Sequence, residues 1–131
     1  MDVQPVVLIV DDEPLMRQLL ASKLRRHFSL RPVEASNNTD ALQHARLQRP
    51  CLITTDMHRP GGTGLSLIQQ IRGDPELSAI PIVLISGGAT SEARQQAWQA
   101  GASAVFPKPF DLEEFYSTIA AILASPGEAE N

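Results

Sequence analysis

Four short apolar runs punctuate this chain, and each stops abruptly at charged or hydroxyl-bearing residues. Val6–Val10 precedes Asp11-Asp12, Leu52–Thr55 precedes Asp56, Ile80–Ile85 precedes Ser86, and Ala104–Phe106 precedes Pro107-Lys108-Pro109. Runs this short and this apolar fit strands buried on both faces. Helical patterns separate them, and such alternation means a parallel sheet covered on both sides and joined by right-handed crossovers. The C-terminal strand ends then lie along one edge, where open α/β sheets hold their ligands. Three carboxylates, a hydroxyl and an ammonium are expected to converge there.

The intervening segments supply the helices. Pro14 suits a first helical turn, and Met16, Leu19, Leu20 and Leu24 form one helical stripe behind it. Leu30–Glu34 reads as a second strand, near an edge because it contains Pro32. Asn38 is expected to cap a helix that turns Ala41, Leu42 and Ala45 inward and ends at Pro50. The third strand, about Cys51 to Thr55, leads into the turn Pro60–Gly64, and Leu65, Ile68 and Ile71 mark the helix after it. Ala93, Ala97 and Ala100 give the fourth helix a narrow packing face, with Gly101 as its stop. Asp111 caps the last helix, whose stripe is Leu112, Phe115, Ile119 and Ile122. Five strands and five helices result.

Composition narrows the function classes. At 131 residues the chain is one ordinary domain, and 43% hydrophobic content excludes bulk disorder. A formal charge of -4, from 11 basic and 15 acidic residues, argues against a nucleic-acid surface, which needs clustered cations. Cys51 is the single cysteine and favours a reducing, cytoplasmic setting; at the start of an apolar run it reads as a buried structural thiol. No apolar stretch is long enough to cross a membrane, and no signal pattern opens the chain.

Asp11, Asp12 and Asp56 crowded at one edge would repel each other unless a cation sat among them. Oxygen ligands alone favour a hard ion, and a few carboxylates completed by water and phosphate describe Mg²⁺ better than Ca²⁺. No Cys/His grouping offers zinc or copper an alternative. Taken singly, an Asp-Asp pair reads as a solvated patch, Lys108 as a surface lysine and Ser86 as a turn serine. Their four coordinated placements at strand ends are hard to explain that way.

These residues resemble those of the receiver (CheY-like) domain of two-component response regulators. The likeness runs from about Val6 to Leu123 and is carried by Asp11-Asp12, Asp56–Pro60 with Gly64, Ser86, Ala100-Gly101-Ala102 and Lys108-Pro109-Phe110. It implies a single doubly wound (βα)5, flavodoxin-like α/β domain over residues 5–124, with strand order 2-1-3-4-5 and a polar tail over 125–131. It further implies a phosphorylation-controlled switch rather than an enzyme acting on other substrates. Asp56 would accept a phosphoryl group from a sensor histidine kinase or histidine phosphotransfer protein. Mg²⁺ would be held by Asp12, Asp56 and the backbone carbonyl of His58, with Asp11 acting through water. Lys108 and Ser86 would contact the phosphoryl oxygens, and Ser86 would draw Gly87 and Gly88 with it. The surface of the last two helices and fifth strand would then change, controlling the docking of a downstream protein or a second copy of the chain. Lys108-Pro109 is expected to be cis.

Three positions depart from the family pattern. Val105 stands where an aromatic switch residue is common, Arg59 replaces the usual methionine, and Pro107 removes a ladder donor, which demands an edge strand. Gly88 has no side chain to orient hydrolytic water, so a long-lived acyl phosphate is expected unless His58 assists. Trp98, off the alanine face, reads first as a partly buried edge residue and second as a partner anchor. Three rivals share parts of this pattern. A nucleotide or flavin module lacks its anion cradle, since Asp11-Asp12-Glu13-Pro14 follows the first strand. An aspartyl phosphatase would need an Asp-x-Asp pair and a cap. The remaining alternative is a pseudo-receiver, a docking module independent of phosphorylation.

Overall fold

The four apolar runs are strands, and the remaining segments supply the helices and one further strand. The computed structural model describes residues 4–57, 62–87 and 90–124. In chain order the elements are β1 (Val6–Val10), α1 (Pro14–Phe28), β2 (Arg31–Ala35), α2 (Asn38–Gln48), β3 (Leu52–Asp56), α3 (Gly64–Arg72), β4 (Ile82–Gly87), α4 (Ser91–Ala100), β5 (Ala104–Lys108) and α5 (Leu112–Leu123). The strands pair in parallel in the order β2-β1-β3-β4-β5. Every residue of β1 and β3 is buried, as central parallel strands require. Pro32 and Pro107, which cannot donate to a ladder, lie in the two edge strands.

Strand alternation divides the core in two. Leu8, Val10, Ile53 and Leu84 meet Ala45 of α2, Leu67 of α3 and Ala97 of α4 on one face. Ile9, Leu52, Ile85 and Phe106 meet Leu24 of α1 and Phe115 of α5 on the other. Val105 and Phe106 accordingly pack on opposite faces, Val105 toward α4. Phe115 is fully buried, with its ring centroid 5.4 Å from that of Phe106. Truncating such a side chain to alanine costs roughly 3–5 kcal/mol. His27 at the end of α1 stacks on Tyr116 of α5, centroids 3.8 Å apart, closing that layer.

Several local expectations need correction. Leu19 is not part of the α1 stripe: it is 47% exposed, and Ala21 joins Leu20 and Leu24 inside. At about 100° per residue, Leu24 and Ala21 lie to one side of Leu20 around the helix, whereas Leu19 lies to the other, away from the sheet. Asn38 is not the cap of α2. Asn37 is, its side chain accepting the Asp40 N–H, while Asn38 lies within the first turn and is buried. Cys51 precedes β3 and is only partly buried; burial still pushes its thiol up from the ordinary value, partly opposed by a backbone hydrogen bond. Thr63, Thr90 and Asp111 cap α3, α4 and α5, each such cap contributing about 1 kcal/mol. Gly101 ends α4 at φ +116°, a conformation that favours glycine. Lys108-Pro109 is cis. No helix among the described residues is long and apolar enough to cross a membrane.

Candidate functional site

Register brings the strand ends together. Val10 pairs with Thr55, so Asp11 follows level with Asp56. Asp56 pairs with Ile85, Ser86 with Pro107, and Gly87 with Lys108, each step displacing the edge by about one residue. Asp11, Asp56 and Lys108 continue the alternation of the α1/α5 face. Ser86 continues that of Ile82 and Leu84, which belong to the α2–α4 face. An open cavity of ≈ 360 Å³ results, lined by Asp12, Asp56, Met57, Ser86, Gly87 and Lys108 among others.

The acidic group forms as anticipated. One carboxylate oxygen from each of Asp11, Asp12 and Asp56 lies within 4.8 Å of the others. Asp11 and Asp56 are buried, whereas Asp12 is exposed. Lys108 Nζ is 3.6 Å from Asp11 Oδ2, so the ammonium reaches the cluster through Asp11. The donor set is oxygen alone, which fits a hard divalent cation better than zinc. Asp12 and Asp56 would face that ion from the cavity wall.

Backbone contacts fix these side chains. Asp11 Oδ1 accepts the Glu13 N–H at 2.9 Å, and the Asp11 N–H donates to the Ala35 carbonyl at 3.1 Å. Arg17 was not singled out from the sequence, yet it holds the same turn. Its Nη1 donates to the Asp11 carbonyl at 2.7 Å while its Nε meets Glu34 Oε1 at 3.0 Å. An arginine six residues past an aspartate carries no sequence signal of this, because Glu34 comes from another strand. On β3, Thr55 Oγ1 donates to the Asp56 carbonyl at 3.0 Å, and the Gly64 N–H donates to the Met57 carbonyl at 2.7 Å. A Cβ at Gly64 would collide with the Asp56 carbonyl oxygen, which explains the glycine there.

Of the other expected site residues, Gly87 ends β4 and is exposed, and a Cβ there would meet Lys108 only at ordinary contact distance. Val105 is partly buried against the α4 side, and Trp98 is 52% exposed on α4. His58 and Gly88 lie outside the described residues, as do Arg59 and the 125–131 tail.

This fold and this strand-end cluster define a class of phosphorylation-based signalling proteins. Residues 7–120 match the response regulator receiver domain, and the chain belongs to that family. Protein PilH of Pseudomonas aeruginosa is 32% identical over 120 residues, covering 90% of this chain and 97% of that protein. Response regulator Rre1 of Synechocystis is 29% identical over 118 residues, 90% of this chain and 51% of the relative. Hybrid signal transduction histidine kinase D of Dictyostelium discoideum is 30% identical over 120 residues, of which this chain spans only 8% of the relative's length. The chain thus covers about half or less of the length of several relatives. Among solved structures, a response regulator receiver protein from Pseudomonas putida superposes with a TM-score of 0.83 at 27% identity, covering 92% of this chain and 99% of that one. Receiver domains signal by phosphorylation, bind Mg²⁺ through an acidic cluster, and interact with histidine kinases and phosphotransfer proteins.

Proposed function

We propose that this chain is a phosphorylation-controlled switch in which Asp56 accepts a phosphoryl group. The observation that carries the reading is the gathering of Asp11, Asp12 and Asp56 oxygens within 4.8 Å, with the Lys108 ammonium 3.6 Å from Asp11. A carboxylate oxygen of Asp56 attacks the phosphorus of a phosphohistidine on a kinase or phosphotransfer protein. The O–P bond forms as the P–N bond breaks, and the histidine nitrogen leaves. Asp12 and Asp56 would hold Mg²⁺, with the His58 carbonyl as a further ligand and Asp11 acting through water. Bound there, the ion would neutralise charge on the transferring group. Lys108 shifts from Asp11 toward the phosphoryl oxygens, so catalysis is positioning plus electrostatics. The chain acts on no other substrate; it catalyses only its own phosphorylation and dephosphorylation.

Ser86 connects the chemistry to the surface. Its hydroxyl bonds the new phosphoryl oxygen, drawing the end of β4 toward the α1/α5 side and altering how α4 packs on β5. Such a shift biases a two-state element, the α4-β5-α5 surface, toward docking a downstream protein or a second copy of the chain. Trp98 reports it: its emission changes when Asp56 is phosphorylated.

Incubation with Mg²⁺ and acetyl phosphate tests the proposal. The chain gains one hydroxylamine-labile phosphate, and Asp56→Asn abolishes the gain. Absence of incorporation into wild-type protein, beside a receiver that does label, would leave a docking module independent of phosphorylation.

A further inference from the structure

The buried polar residues among those described are Asp11, Asn38, Thr54, Thr55, Asp56 and Ser86. Asp56 and Ser86 line the cavity, Asp11 belongs to its acidic cluster, and the two threonines precede Asp56 in β3. Only Asn38 comes from a helix, and it is 7% exposed. A buried amide costs stability unless its hydrogen bonds are made, so its placement calls for a reason.

The adjacent asparagines divide their work. Asn37 caps α2 by accepting the Asp40 N–H at 2.8 Å, which frees Asn38 from capping. Asn38 Nδ2 instead donates to the Thr63 carbonyl at 3.2 Å, across 25 residues of sequence. The chain lies flat over that amide. At Gly62, φ is +119° and a Cβ would collide with Asn38 Nδ2 and sit 2.6 Å from its Cγ. Thr63 is the cap of α3, and the next residue, Gly64, is bonded to the Met57 carbonyl and pressed against the carbonyl of Asp56. Only Thr63 and Gly64 therefore stand between the Asn38 amide and the backbone of Asp56, and each link is a close contact with little slack.

We infer that Asn38 is a positioning residue for phosphoryl transfer. By holding the Thr63 carbonyl it sets where Gly64 bears on β3, and so where the Asp56 carboxylate stands relative to Asp11 and Asp12. It also ties the start of α2 to the reacting residue. The inference rests on the phosphoacceptor reading of Asp56. Transfer rates depend steeply on the placement of the attacking atom, a misplacement of about 1 Å costing roughly 10²-fold.

The test uses the full chain with Asn38→Leu, which keeps the shape without the donor, and Asn38→Ser, which is too short to reach Thr63. Three quantities are measured well below the melting temperature: phosphate incorporation from acetyl phosphate, the Mg²⁺ concentration giving half the maximal rate, and the fraction folded. Both variants are expected to label at least about fivefold more slowly per folded molecule, with a raised Mg²⁺ requirement. A purely structural asparagine would lower the melting temperature and leave rate and Mg²⁺ requirement at wild-type values; that result overturns the inference. Should Asn38→Leu not fold, Asn38→Ser decides alone. Wild-type protein that takes no label sinks the phosphoacceptor reading and this inference together. Labelled wild type beside equally labelled variants sinks only the latter.

Discussion

The ammonium of Lys108 lies 3.6 Å from Asp11 Oδ2, with Asp11 almost wholly buried and Lys108 partly so. A divalent cation bound as proposed would therefore compete with the lysine for the same group of carboxylates. Replacing Lys108 by methionine removes that competitor and, on the proposed mechanism, a stabiliser of the transferring group. Lys108→Met is expected to bind Mg²⁺ more tightly than wild type, yet to take up phosphate roughly 100-fold more slowly. Calorimetric titration and acetyl phosphate labelling read the two effects separately. An unchanged labelling rate would remove Lys108 from the chemistry.

Gly64 offers a sharper steric test. A Cβ there meets the Asp56 carbonyl oxygen and lies 2.8 Å from Leu84 Cδ1, both in the well-packed end of the sheet. Gly64→Ala must push β3 and α3 apart, at a cost of about 1–3 kcal/mol. Thermal unfolding is expected to show a melting temperature lower by several degrees, and labelling of Asp56 slows with it.

Arg72 secures the opposite end of α3. Its Nε donates to the Gly101 carbonyl at 3.0 Å, and its Nη1 to the carbonyls of Ser78 and Ile80 at 2.9 and 2.6 Å. One side chain thus joins α3, the loop before β4 and the stop of α4. Burial lowers its pKa, though a guanidinium stays charged at any physiological pH. Arg72→Met leaves those acceptors unmatched and costs roughly 2–4 kcal/mol in denaturant unfolding. Arg72→Lys recovers less than half, since a point charge on a flexible stem cannot serve three acceptors spread around a fork.

Cys51 gives a pH-dependent prediction. Desolvation raises its pKa, so the folded protein keeps it as a thiol at pH values where a free cysteine has begun to ionise. Only the thiolate alkylates readily. Iodoacetamide is expected to modify native protein more slowly than unfolded protein near pH 8, with the native rate rising at higher pH than the unfolded one. Equal rates in both states would contradict the burial.

How much of this was legible beforehand depends on where each partner sits. β1, β3 and β4 were plain as largely apolar runs, because strands covered on both faces leave few polar positions. Asp56, Ser86 and Lys108 stood out because a polar residue ending such a run must lie at the sheet edge. Leu19 was misplaced because helical spacing limits which residues share a face without saying where that face begins. Asn38 was misassigned because both neighbouring asparagines satisfy capping chemistry. Arg17 and Arg72 were invisible as clamps, since their acceptors are backbone carbonyls and a glutamate on other elements.

Order of elements, direction of strands and the chemical character of each strand end follow from local patterning, which depends on periodicity and on residues a few positions apart. Which carboxylate meets Lys108, which asparagine turns inward, and how Gly64 bears on Asp56 depend on register between strands and on helices docking against them. The contacts of Lys108 with Asp11 and of Asn38 with Thr63 join residues dozens of positions apart, and no short-range preference encodes them. They arise only when burial of both sheet faces brings the layers to packing distance.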